Sequence, residues 1–259
     1  QHTVGLGFLL AYEYSEPHFM HLRGGIIAED NEYENIEFLY NFKKSFIVNG
    51  YLSAIEFDSG YQFQTQSYWQ NSPGTMTDID VDIYNLRALY GVKLSNKFML
   101  KSGIGYRHLF HHWKNRVTTT GGKGYDREQD YTYIPIIAEI KTKAGKLKIE
   151  FDHVVSGTNT SYLSQSSASS VDTVFKNDNG FMFKNSFEIK SNDLTIEPYY
   201  EFLAIEESDL VGTSKEPSNI TNEIGFRIKK EFNSNKSLAS NYKNILNNDE
   251  YYYGVQALM

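Results

Sequence analysis

From residue 4 to residue 232 the sequence returns repeatedly to one pattern: apolar and polar side chains alternate with a period of two. In 220–232 one parity reads Ile220, Asn222, Ile224, Phe226, Ile228, Lys230 and Phe232; the other reads Thr221, Glu223, Gly225, Arg227, Lys229 and Glu231. Neighbours on an extended strand point to opposite faces, so this segment has one largely apolar face and one charged face. Nine further segments behave alike: 4–14, 35–42, 47–64, 84–94, 98–112, 131–142, 147–156, 181–190 and 194–205. No run of about 18 apolar residues occurs, so no transmembrane helix is predicted.

The connections alternate in length. Short ones fall at 43–45, 95–97, 144–146 and 191–193; long, polar ones rich in Ser, Thr, Asn and Gly cover roughly 16–34, 66–82, 113–130, 157–179 and 207–219. Tight turns at one end and long loops at the other are the mark of a membrane barrel. The predicted fold is all-β: a ten-stranded antiparallel transmembrane up-and-down β-barrel over 1–232, with long extracellular loops and short periplasmic turns. A soluble sandwich or lipocalin-like barrel would show the same alternation with its apolar parity inside. Two features favour lipid outside. The charged parity carries many glycines and both signs of charge, which suits a narrow lumen. Aromatics also gather near strand ends, at Tyr12, Tyr14, Tyr68, Trp69, Phe110, Trp113, Tyr131, Tyr133 and Tyr162, as in an interfacial girdle.

Composition supports this setting. Twenty Tyr and 17 Phe stand beside no cysteine, so disulfides and thiolate metal sites are excluded. A net charge of −7 without a basic cluster argues against nucleic acid as a partner. The expected location is the outer membrane of a Gram-negative bacterium, a signal peptide having been removed before the strand pattern that opens the chain. The expected partners are the lipid bilayer, lipopolysaccharide and the barrel insertion machinery, for a monomer with no cofactor and an unknown surface ligand.

Four stretches, YSEPHFM (14–20), GIGYRHL (103–109), GYDREQDYTYIPI (124–136) and IEPYYEF (196–202), each at a strand end, resemble a group of poorly characterised Gram-negative outer-membrane barrel proteins. The resemblance spans about 1–232, implies the barrel and implies no chemistry. After Phe232, where a terminal aromatic resembles a barrel insertion signal, 233–259 departs from that pattern. It reads as a periplasmic tail or plug, with a helix-like stretch SLASNYKNIL.

Candidate functional residues lie mainly on the inward parity. Glu56, Asp58, Arg87, Lys101, Arg107, Glu139, Glu150, Lys184, Glu197, Glu201, Glu223 and Arg227 form the expected lumen charge network. Nearly balanced signs favour cross-lumen pairing over a selective pore. The expectation is therefore a narrow or closed lumen and a protein acting through its extracellular loops by adhesion or binding. A small porin-like diffusion pore is the alternative. The omptins, ten-stranded outer-membrane proteases that resemble this chain in size, use paired acids with an Asp/His pair at the extracellular rim. Here Asp78, Asp80 and Asp82 fall in the second long loop, and the only sequence-adjacent Asp–His pair, Asp152–His153, straddles two faces of a strand. No catalytic residues are therefore assigned. His18, His21, His111 and His112 gather at one rim and are weak metal-ligand candidates.

Overall fold

The computed structural model describes residues 2–15, 30–68, 74–191 and 194–232. The tail 233–259, His18, His21 and Trp69 lie outside these residues, as do the side chains of Tyr12, Tyr14, Tyr68 and Phe232. In chain order the strands are β1 (His2–Ser15), β2 (Asp30–Val48), β3 (Tyr51–Tyr68), β4 (Met76–Lys93), β5 (Phe98–His111), β6 (Arg127–Lys141), β7 (Lys146–Ser161), β8 (Thr173–Lys176), β9 (Gly180–Ser191), β10 (Leu194–Ile205) and β11 (Asn219–Phe232).

Each long strand pairs antiparallel with its neighbours, β7 pairs with β9, and the four-residue β8 only adds to the upper end of β7. The ring closes on itself through β1 and β11, aligned from His2↔Phe232 to Ser15↔Asn219. Ten strands thus make a complete barrel without a free edge, the condition for a sheet to cross a bilayer.

Most predicted strands are present, but two connections differ from expectation. The β2–β3 hairpin turns at Asn49 and Gly50, both with positive φ (50° and 81°), and not at 43–45. Asn-Gly in the left-handed region is the turn that matches strand twist, and moving the turn there leaves Lys43 on the inner wall of β2. The second departure concerns 66–82. Asp78, Asp80 and Asp82 are not in a loop; they lie on β4, where Asp80 and Asp82 pair with Thr65 and Phe63 of β3 and Asp78 falls at an irregularity in the register.

That segment shows how the wall is built. In β4, Tyr84, Leu86 and Tyr90 face outward and are exposed, while Asp78, Asp80 and Asp82 continue the same outward parity above them. On the inner side Ile79, Val81 and Ile83 are almost fully buried. A tilted strand needs about 9–11 residues to cross the hydrocarbon; β3 and β4 have 18 each. The excess projects past the membrane into water. Polarity therefore reverses along one strand, apolar outside in lipid and apolar inside above it.

A band of exposed Phe38, Phe57, Leu86, Leu100, Ile104, Ile136, Phe151, Ile196 and Phe226 covers the lower wall. In a water-soluble protein such a surface would aggregate; in lipid it is the required face. Its upper border is aromatic: Phe38 packs on Tyr61, Tyr61 on Tyr84 and Tyr84 on His108, across β2 to β5. The Tyr61 and Tyr106 hydroxyls donate to Asp82 and Asp130 just above. Phe110 and Tyr162, which pack together, belong to this outer surface. Trp113, Tyr131 and Tyr133 do not. They are buried within the upper barrel and help to fill it.

Candidate functional site

The lower and middle lumen is packed with ions. Lys101 Nζ lies 2.8 Å from Glu56 and 2.6 Å from Glu139. Glu56 also takes Lys43 at 2.6 Å. Lys146 and Lys148 reach Glu188 at 2.7 and 2.5 Å, and Lys148 is 3.4 Å from Glu197, which also pairs with Lys229. Higher up, Arg87 bridges Asp58 (2.7 Å) and Glu150 (2.6 Å), and Lys184 bridges Glu150 (3.3 Å) and Asp152 (3.1 Å). Arg227 bridges Glu37 (2.7 Å) and Glu201 (3.0 Å), with its guanidinium 3.8 Å over the Tyr199 ring. Lys101, Lys146, Lys148, Lys229, Arg87 and Arg227 each sit between acids from two different strands. Charges removed from bulk water are tolerated only in such company.

Of the expected network residues, only Arg107 and Glu223 make no ion pair among the described residues; both are buried on the inner wall. Lys43, Lys146 and Glu37 join the network although sequence reasoning left them out. Lys43 and Lys146 were assigned to turns, and the Asn49–Gly50 dipeptide was the signal that would have placed Lys43 correctly. Among these side chains remains a cavity of about 200 Å³.

Above it the lumen is filled by apolar groups. Met76, Ile79, Val81, Ile83 and Trp113 form one cluster against Leu109; Tyr131, Tyr133, Val154, Met182 and Ile205 form a second against Leu203. Tyr133 crosses the inner wall directly over Gly105, where an added Cβ would lie 2.2 Å from its ring. Gly105 on the inward parity thus makes room for an internal aromatic.

The rim loops are tied together over this plug. Asp126 accepts the Lys114 amide at 2.8 Å and the Gln165 side-chain amide at 3.1 Å, while its own amide donates to Gln165 Oε1 at 2.8 Å. Arg127 pairs with Glu216 from the last loop and lies 5.5 Å over the Trp113 ring. Ser208 and Glu216 exchange hydrogen bonds of 3.0 and 2.8 Å within that loop.

Of the rim histidines, His111 and His112 lie among the described residues, and they do not lie together. His111 points inward, is buried and packs on Trp113, whereas His112 points outward with Nε2 2.7 Å from Asp82. They cannot share an ion, which corrects their grouping as ligand candidates. Asp152 is buried inside and His153 exposed outside, as the alternation requires. A cluster missed in sequence lies on the outer wall: His108, Glu128 and Asp130. Its signal was the register of β5 with β6, which sets His108 opposite Asp130.

A lipid-facing wall, a closed ring of ten strands and a polar lumen define an integral β-barrel of the Gram-negative outer-membrane type. No protein-family model matches the chain, and no curated protein sequence matches it. Among solved structures, the outer membrane protease OmpT from Escherichia coli aligns over 87% of this chain and 95% of its own, at a TM-score of 0.52 and 10% identity. The transport unit of the autotransporter AIDA-I from Escherichia coli (TM-score 0.40, 10% identity, 86% and 89% covered) is more distant. So is the Pseudomonas putida toluene transporter TodX (TM-score 0.37, 9% identity, 88% and 89% covered). These are likenesses of fold.

Proposed function

We propose that this barrel does not conduct, and that it acts at the cell surface through its extracellular loops by binding or adhesion. The observation that carries this reading is the double obstruction of the lumen: a cross-strand ion network below, and apolar clusters under interlocked loops above. Open aqueous channels belong to barrels of about 16–18 strands, while about eight strands leave an interior that side chains fill. Ten strands lie near the filled end. What remains accessible on the outside is the loop surface. There Val171 and Leu210 are 78% and 69% exposed, with Val174 and Val211 also exposed beside them, which suits contact with another surface.

A catalytic role has less support. The outward Asp82–His112 pair faces away from the barrel mouth, and the inner side of β4 behind it is Ile79, Val81 and Ile83. A base needs substrate as well as its orienter within reach. The test is electrical. Refolded protein in a planar bilayer should give no stepwise conductance at either polarity. Regular, voltage-stable channels from the parent protein would overturn the proposal in favour of a small diffusion pore.

A further inference from the structure

On the outer wall, just above the lipid-facing band, three metal-ligating groups converge. His108 on β5 and Asp130 on β6 are direct cross-strand partners, and Glu128 lies two residues along the same outward face of β6. His108 Nδ1 is 2.9 Å from Asp130 Oδ1 and 3.7 Å from Glu128 Oε1, and all three donor atoms lie within 4.8 Å of one another. We propose that this triad is a binding site for one first-row divalent cation of the zinc type, at the extracellular border of the membrane.

The geometry supports this assignment at two levels. Zinc–nitrogen and zinc–oxygen bonds of about 2.0–2.2 Å make the edge of a tetrahedron about 3.3–3.5 Å long. The spacings of 2.9 and 3.7 Å bracket that edge, so small side-chain rotations bring all three donors onto one ion. One imidazole with two carboxylates is a donor set that zinc accepts, and the imidazole disfavours the hard cations Ca²⁺ and Mg²⁺. The second level is support around the ligands. The Tyr106 hydroxyl donates to Asp130, and the Tyr162 hydroxyl to Glu128. The Tyr84 ring packs against His108 at 5.9 Å. Partners of this kind orient ligands before the ion arrives.

Three protein ligands leave a fourth position. The triad is half-exposed on the outward face, so that position opens to the headgroup layer and takes water or an anionic oxygen. The neighbouring His112–Asp82 pair offers only two donors and serves as an internal control. The proposal does not depend on whether the barrel conducts.

The test is a zinc titration of the refolded, tag-free protein in detergent micelles, read by calorimetry, with cobalt absorption reporting coordination. The parent should bind one Zn²⁺ per chain and give a tetrahedral cobalt spectrum. Asp130→Asn and His108→Gln should each weaken binding by about 100-fold or more, Tyr162→Phe by about 10-fold, and His112→Gln should leave it unchanged. Heat-modifiable mobility confirms that each variant is folded. No binding by the folded parent would overturn the assignment, as would equal binding by parent and Asp130→Asn, or equal loss in His112→Gln.

Discussion

At the residue scale two kinds of solvent decide what each position tolerates. Ile104 stands outward on β5, 56% exposed, within the lipid band. Arginine there near the bilayer midplane opposes insertion by about 2–4 kcal/mol. Ile104→Arg should therefore lower the yield of folded, heat-modifiable barrel in lipid vesicles, and equal yields would refute the assigned face. Lys101 presents the opposite case. It is buried between Glu56 and Glu139, and Lys101→Ala removes the cation shared by the two carboxylates, leaving Glu56 to Lys43 and Glu139 to the more distant Lys146. Removing one partner of a buried pair destabilises by about 3–5 kcal/mol, so the urea midpoint in micelles should fall clearly; an unchanged midpoint would count against the network as a stabilising element. That alternate residues take opposite faces was legible from the period of two. Which acid meets which base was not, because pairing depends on the stagger between strands and on side-chain reach across the lumen.

At the scale of elements, the hairpin of β2 and β3 turns on two residues. Gly50 has φ of 81°, where a Cβ is strained even though open space surrounds it. Gly50→Ala should destabilise the barrel by about 1–2 kcal/mol, visible as a lower urea midpoint with an unchanged fold by circular dichroism. A neutral result would mean that the turn relaxes freely. This hairpin also shows why boundaries were harder to read than strands. Lys43–Lys44–Ser45 looks like a polar break, yet Lys43 points into the lumen to Glu56. The 66–82 stretch was misjudged for a related reason. From Ile79 to Ile83 the alternation holds, but Asp80 and Asp82 face outward, opposite to the charges of the strands below, so the stretch reads as a loop.

For the whole molecule, closure is the decisive property. β1 and β11 align over their full lengths, so the last rung of the ring is made by Phe232 opposite His2. The ring of strands is therefore closed before residue 233. A chain ending at Phe232 should still fold into a heat-modifiable barrel in detergent, assayed by its unheated and heated electrophoretic mobility. Failure to fold would show that 233–259 supplies something the ring needs. The class of fold and the even strand number were legible because alternation and loop length both report the bilayer. The obstruction of the lumen was not, since Trp113, Tyr131 and Tyr133 read equally well as girdle residues until the strands were registered.

The reversal of polarity along β4 has a consequence for how substitutions should be judged. Ile79 and Ile104 are both isoleucines on barrel strands, but they answer to different thermodynamic references. Ile79 is shielded from water by neighbouring side chains, so its environment is a conventional protein core and a cavity there carries a packing penalty. Ile104 is bare on the protein side and is covered by acyl chains, so truncating it leaves no internal void. One continuous hydrogen-bonded ladder thus joins a water-soluble domain to a membrane-embedded one, with no linker between them. Perturbing the upper storey by aqueous denaturant pulls directly on strands whose lower halves are anchored in lipid.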